Sequence, residues 1–146
     1  MMIKNERQYR ITKAQVARFE AALQEVSARN AATAPSVLER AQEQALGSQL
    51  ADLKAEVSDY EMLKSGTVTT FQAETFEELP TALIRARIAT GMSQKDLATQ
   101  LGVKEQQVQR YEATDYASAS FGRLLAIIHV LGVKVREEIH LTGRHA

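Results

Sequence analysis

Gly102 is the residue that most narrows what this chain can fold into. It separates two short stretches whose apolar residues recur at helical spacing, Leu97, Ala98 and Leu101 before it and Val108 and Tyr111 after it. A glycine at such a junction marks a sharp turn through the left-handed backbone region, which a residue without a Cβ enters at little cost. Ser93, with Asp96 three residues on, reads as the capped start of the first stretch. Val103 follows the glycine as an apolar anchor for the turn. Ahead of this unit, Pro80 fits only the first turn of a helix, and Leu83, Ile84, Ile88 and Met92 give that helix a buried stripe that Gly91 ends. Behind it, Ser118 or Ser120 caps a further helix, with Phe121, Leu124, Leu125, Ile128 and Leu131 facing the core and Gly132 closing it.

The remaining segments divide in the same way. In the first 66 residues, Thr12 and Gln15 form a Thr-x-x-Gln start signal, followed by Val16, Phe19, Leu23 and Val26 on one face of a helix running to about Ala28. Asn30 to Pro35 breaks the pattern, and Ser36 with Glu39 restarts it as a second capping box. Leu46, Leu50, Leu53, Val57 and Tyr60 then continue toward a C-terminal cap at Gly66. Two apolar stripes joined by a short connection predict an antiparallel hairpin, with a long helix of about 43 Å and a partner nearer 25 Å. On those lengths the distal part of the longer helix has no partner, and it would bind a second copy or another protein. Thr67 to Ala73 reads as a short strand or extended linker. Val133, Val135, Glu137, Ile139 and Leu141 alternate at period two, which reads as a C-terminal strand that pairs with that segment or with its counterpart in a second copy. The expected fold is therefore mainly α, with a hairpin over 1–66 and a second domain over 67–146 ending in a short β-strand.

Composition excludes several classes. There is no cysteine, so there is neither a disulfide nor a thiolate metal site, and a reducing cytoplasm is the expected setting. No apolar run approaches the roughly 20 residues of a membrane span, and the polar start does not read as a signal peptide. His129, His140 and His145 have no carboxylate or cysteine set around them, and no Gly-x-Ser-x-Gly, phosphate-loop or dinucleotide signature occurs. The chain is expected to be no enzyme and to need no metal or cofactor. Formal net charge is zero, so any case for nucleic acid must come from local features. Residues 1–18 carry +4 through Lys4, Arg7, Arg10, Lys13 and Arg18 against Glu6, and residues 39–61 carry −4. Antiparallel pairing sets these runs side by side, so weak surface ion pairs are the expected use of both, ahead of a DNA contact by the basic start.

The exposed side of the second short helix is chemically specific. Glutamine can read adenine at N6 and N7, arginine can read guanine at O6 and N7, and glutamate can accept from a cytosine amine. Gln106, Gln107, Arg110 and Glu105 carry those groups outward. Gln94 and Lys95 open the preceding helix, where free N–H groups suit a phosphate, and Lys104 stands just ahead of the second helix as a further phosphate contact. Two short helices about a glycine turn form a helix-turn-helix, whose second helix fits a major groove. From Leu79 to Val133 the chain resembles the Cro/repressor-type, or xenobiotic-response-element, helix-turn-helix family through RARIATGMSQKDLATQLGV, QRYE and SFGRLLAIIHVLGV. The resemblance implies that Arg87 and Glu112 pair beneath the motif, and that the chain binds double-stranded DNA. Where family members carry Ser or Thr before the recognition helix, this chain has Lys104. With its KNERQYRITKAQ opening, the whole chain also resembles small bacterial regulators and antitoxins that add a helical hairpin to this domain. The expectation is a homodimeric transcriptional regulator, a repressor on a near-palindromic operator. The alternative is an antitoxin or adaptor whose hairpin grips a toxin or other partner protein.

Overall fold

A computed structural model describes residues 1–143; His145 lies outside the described residues. Six α-helices follow one another: α1 Glu6–Ala32, α2 Val37–Lys64, α3 Leu79–Ala89, α4 Gln94–Leu101, α5 Glu105–Ala113 and α6 Phe121–Leu131, with a 3₁₀ turn Phe76–Glu78 leading into α3. None is long and apolar enough to cross a membrane.

The hairpin is longer on its first arm than the sequence suggests. α1 is capped by Asn5, whose side chain accepts from the Gln8 N–H, and Thr12 lies buried nearly two turns inside it. With 27 residues against 28, the two helices are each about 40 Å long, so the longer one has no unpaired distal part. Cross-links run antiparallel from base to tip: Lys64 Nζ to Glu6 at 3.6 Å, Lys54 Nζ to Glu20 at 3.2 Å, and Asn30 Nδ2 to the Glu39 carbonyl at 3.3 Å. The Ser36–Glu39 capping box is formed, and α2 ends at Lys64 with Gly66 at a φ of 76°.

At the base of the hairpin its residues enter the same core as the rest of the chain. Ile3, Tyr60 and Leu63 are buried in one cluster with Leu83, Ile84, Leu97, Val108 and Ile127. Tyr60 donates to Glu6 at 2.9 Å, and burial together with that bond holds its phenol far above its usual range. Arg85 reaches Asp59 at 2.6 Å across α2 and α3. Residues on both sides of the expected boundary after residue 66 thus pack in one cluster.

Two sequence expectations are corrected. Neither Thr67–Ala73 nor Val133–Leu141 forms a strand: no β-strand occurs among the described residues, so the C-terminal β-strand is absent. Each segment is fastened by side chains to the helical core, through Val68 and Phe71 and through Val133 and Val135, and no backbone hydrogen bond joins one to the other. The inner face of α6 is also corrected in part: Leu124, Ile128 and Leu131 pack on the core as expected, but Phe121 and Leu125 do not. Ile127 is fully buried, whereas Phe121 is 66% and Leu125 51% exposed. The run FGRLLAIIHVL is apolar on nearly every side, so periodicity cannot choose its inner face and packing does.

Candidate nucleic-acid interface

Local chemistry fixes the helix pair. Ser93 Oγ accepts from the Asp96 N–H and Asp96 Oδ2 accepts from the Ser93 N–H, both at 3.0 Å. The Ser93 backbone bond holds the Asp96 carboxyl below its ordinary value of 3.8. α4 ends on Gly102 at a φ of 71°, where the Val103 N–H reaches the Ala98 carbonyl at 3.0 Å and the Gly102 N–H reaches Thr99 at 3.2 Å. This paired return of the chain onto the last turn requires a left-handed residue at the corner. Lys104 stands at the start of α5 with no side-chain cap. Val108 and Tyr111 then turn α5 inward against α4.

The opposite face of α5 is open. Lys104, Glu105, Gln106 and Arg110 are exposed and Gln107 is half-buried. Lys104, Gln106, Gln107 and Arg110 line one shallow depression of about 450 Å³. Arg123, in the first turn of α6, lines it too. The linear motif carries no signal for Arg123, because only the packing of α6 brings it there. Glu105 faces the other flank of α5, with Gln109, and Lys95 is exposed in the first turn of α4.

Gln94 does not join them. It is 4% exposed; its Nε2 donates to Glu112 Oε1 at 2.9 Å and its Oε1 accepts from Asn5 Nδ2 at 3.0 Å. A buried carboxylate and the α1 cap hold the polar atoms of this side chain, so a phosphate contact at Gln94 would have to use its backbone N–H at the start of α4. Beneath α5, Arg87 Nε donates to Glu112 Oε2 at 2.6 Å and Nη2 to Oε1 at 2.8 Å, with both side chains almost wholly buried. Arg87 also reaches the Met92 carbonyl at 2.9 Å and the Lys4 carbonyl at 2.6 Å. Lys4 returns the link, its Nζ donating to the Glu112 carbonyl at 2.6 Å, a cation at the C-terminal end of α5 where the helix dipole favours one. Sequence reasoning missed Lys4 and Asn5 as supports of this site, since their partners lie at separations of 108 and 89 residues.

The last support is the exit from α5. Asp115 and Tyr116 take φ values of 50° and 60°, and the Tyr116 N–H returns to the Tyr111 carbonyl at 2.7 Å. Tyr116 stacks on Tyr111 with ring centroids 6.1 Å apart, and burial raises its phenol above the ordinary range, with the Glu112 charge adding to the effect.

The arrangement is a short rod, rigid underneath, that presents amide and guanidinium groups to solvent. Compared with curated proteins and with solved structures, the chain has no match. Residues 83–137, from within α3 to just beyond α6, match a family model described as Helix-turn-helix.

Proposed function

We propose that the protein is a sequence-specific DNA-binding transcriptional regulator that acts as a repressor. The observation that carries this reading is the exposed face of α5 in a helix-turn-helix domain, where Lys104, Gln106, Gln107 and Arg110 meet Arg123 around one depression. In this reading Gln106, Gln107 and Arg110 contact base edges, Glu105 accepts from a cytosine amine, and Lys95 and Lys104 hold phosphates. Residues 85–110 carry a local charge of only +3, so two copies are needed for tight binding. A two-fold pair spaces its recognition helices about 34 Å apart, on successive major grooves of a near-palindrome.

The test is fluorescence anisotropy against a duplex selected by the full chain from a randomised pool, with a scrambled duplex as reference. Arg110→Ala is expected to cost about 1–3 kcal/mol and to relax preference at one base pair, whereas Lys95→Ala weakens both duplexes alike. Wild-type selectivity retained by both Arg110→Ala and Gln106→Ala would show that α5 does not read bases. A second reading, an antitoxin or adaptor working through the hairpin, draws on Val37 and Leu38, which are exposed at its tip. A wild-type chain that prefers no duplex would leave that reading standing in place of the first.

A further inference from the structure

The basic run at the start of the chain is only partly used within the molecule. The acidic half of α2 beside it is engaged elsewhere: Glu56 pairs with the Met1 amino group, Asp59 with Arg85, and Glu61 accepts from the Tyr9 hydroxyl at 2.9 Å. Glu6 is held by Tyr60 and Lys64. Among the described residues Arg7, Arg10 and Arg18 make no ion pair, and Lys13 lies over the Tyr9 ring at 5.3 Å from its centroid. The surface ion pairs that the charge pattern suggests across the hairpin are therefore not made by these arginines.

Their position gives the surplus a direction. Asn5 opens α1 and donates to Gln94, which opens α4, so the amino ends of the two helices lie side by side. A groove of about 960 Å³ separates α1 from α5, with Arg7, Gln8 and Ile11 on one wall and Glu105 and Gln109 on the other. Arg7 thus flanks the recognition helix on the side opposite Arg123. Glu105 and Asp115 line the α5 side of the groove, and Glu6 on the α1 side is paired with Lys64, so the unpaired charge of Arg7 is what favours an anion on the α1 ridge.

We propose that the first two turns of α1, through Arg7 and Arg10, form a second and sequence-independent contact with the DNA backbone alongside the recognition helix. The proposal rests on the DNA-binding reading and extends the interface from the helix-turn-helix onto the hairpin. Arg7 lines the groove beside the base-reading helix and Arg10 lies one turn further along α1; unpaired arginines so placed suit phosphates, which fix the register of a protein on DNA without carrying sequence information.

The experiment measures full-length wild type, the double variant Arg7→Ala/Arg10→Ala, and Arg29→Ala on the selected and scrambled duplexes across a salt series. Arg29 lies on α1 about 33 Å beyond Arg7, and its removal serves as a control for the loss of a distant arginine on the same helix. The double variant is expected to lose affinity for both duplexes by the same factor and to keep the ratio between them. Its slope of log affinity against log salt should become shallower by about 0.9 for each lost phosphate contact, nearly 2 per protomer, while Arg29→Ala keeps the wild-type slope. A double variant with the wild-type slope overturns the proposal. So does one whose lost affinity comes with monomers in sedimentation at unchanged slope, which would assign these arginines to a second copy. Failure of the base-reading assignment looks different: Arg110→Ala then keeps its selectivity whatever Arg7 and Arg10 do.

Discussion

Glu112 has no solvent contact, yet Arg87 and Gln94 direct three donors at its carboxylate and Lys4 takes its carbonyl. A buried charge is tolerable only when its partners are in place, so removing one of them is worse than never having had the pair. Arg87→Met is expected to cost about 3–5 kcal/mol in urea unfolding without any DNA present, because Glu112 stays buried and loses its counter-charge. An unfolding midpoint equal to wild type would remove the pair from the list of what holds α5. At this scale the sequence is a partial guide. Gln94 can be read as the first residue of a helix, but its amide turns inward because Glu112 and Asn5 are both there to receive it. Arg123 has no local pattern that points to it, since its neighbours in the depression come from another helix.

Among helices, the chain uses one way of stopping several times. α3, α4 and α6 each close on a left-handed glycine, Gly91, Gly102 and Gly132, with the following N–H bonded five residues back. α5 closes with the same bonds, but its corner residue is Asp115. A side chain at this backbone angle carries a cost of about 1–2 kcal/mol that glycine avoids. Gly102→Ala should therefore lower stability by about that amount, and Asp115→Gly should raise it by up to about 1 kcal/mol. No atom lies within 4 Å of a Cβ built on Gly102, so any loss seen in thermal melts is one of backbone conformation and not of crowding. Equal melting temperatures for wild type and Gly102→Ala would contradict the account of the turn. Such corners are legible because they depend on one residue and its immediate neighbours. Ser36, Ser93 and Ser120 announce helix starts for the same reason. The outward turn of Phe121 and Leu125 on α6 and the absence of the C-terminal strand are not legible, because a largely apolar helix and an alternating segment take their final form from what stands beside them.

Across the whole molecule, the hairpin base and the helix-turn-helix share one core, with Ile3, Tyr60 and Leu63 among its buried members. Removing residues 1–66 would open that core and strip the Lys4 and Asn5 contacts from α4 and α5. The truncated chain is expected to lose cooperative unfolding in calorimetry. Ile3→Ala in the full chain is expected to cost about 2–5 kcal/mol and to remain cooperative. A truncation that melts as sharply as the full chain would show that the carboxy-terminal part closes its own core. The bond from Lys4 to Glu112 also imposes an order of events during synthesis. It joins residues 108 positions apart, and at ribosomal speeds of about 5–20 residues per second some 5–20 s pass between the making of its two halves. Through that interval the amino-terminal turn can lean on α2, through Tyr60 and Leu63, but the α5 side of its seat does not yet exist. The earliest part of this chain to be made is among the last to find its place.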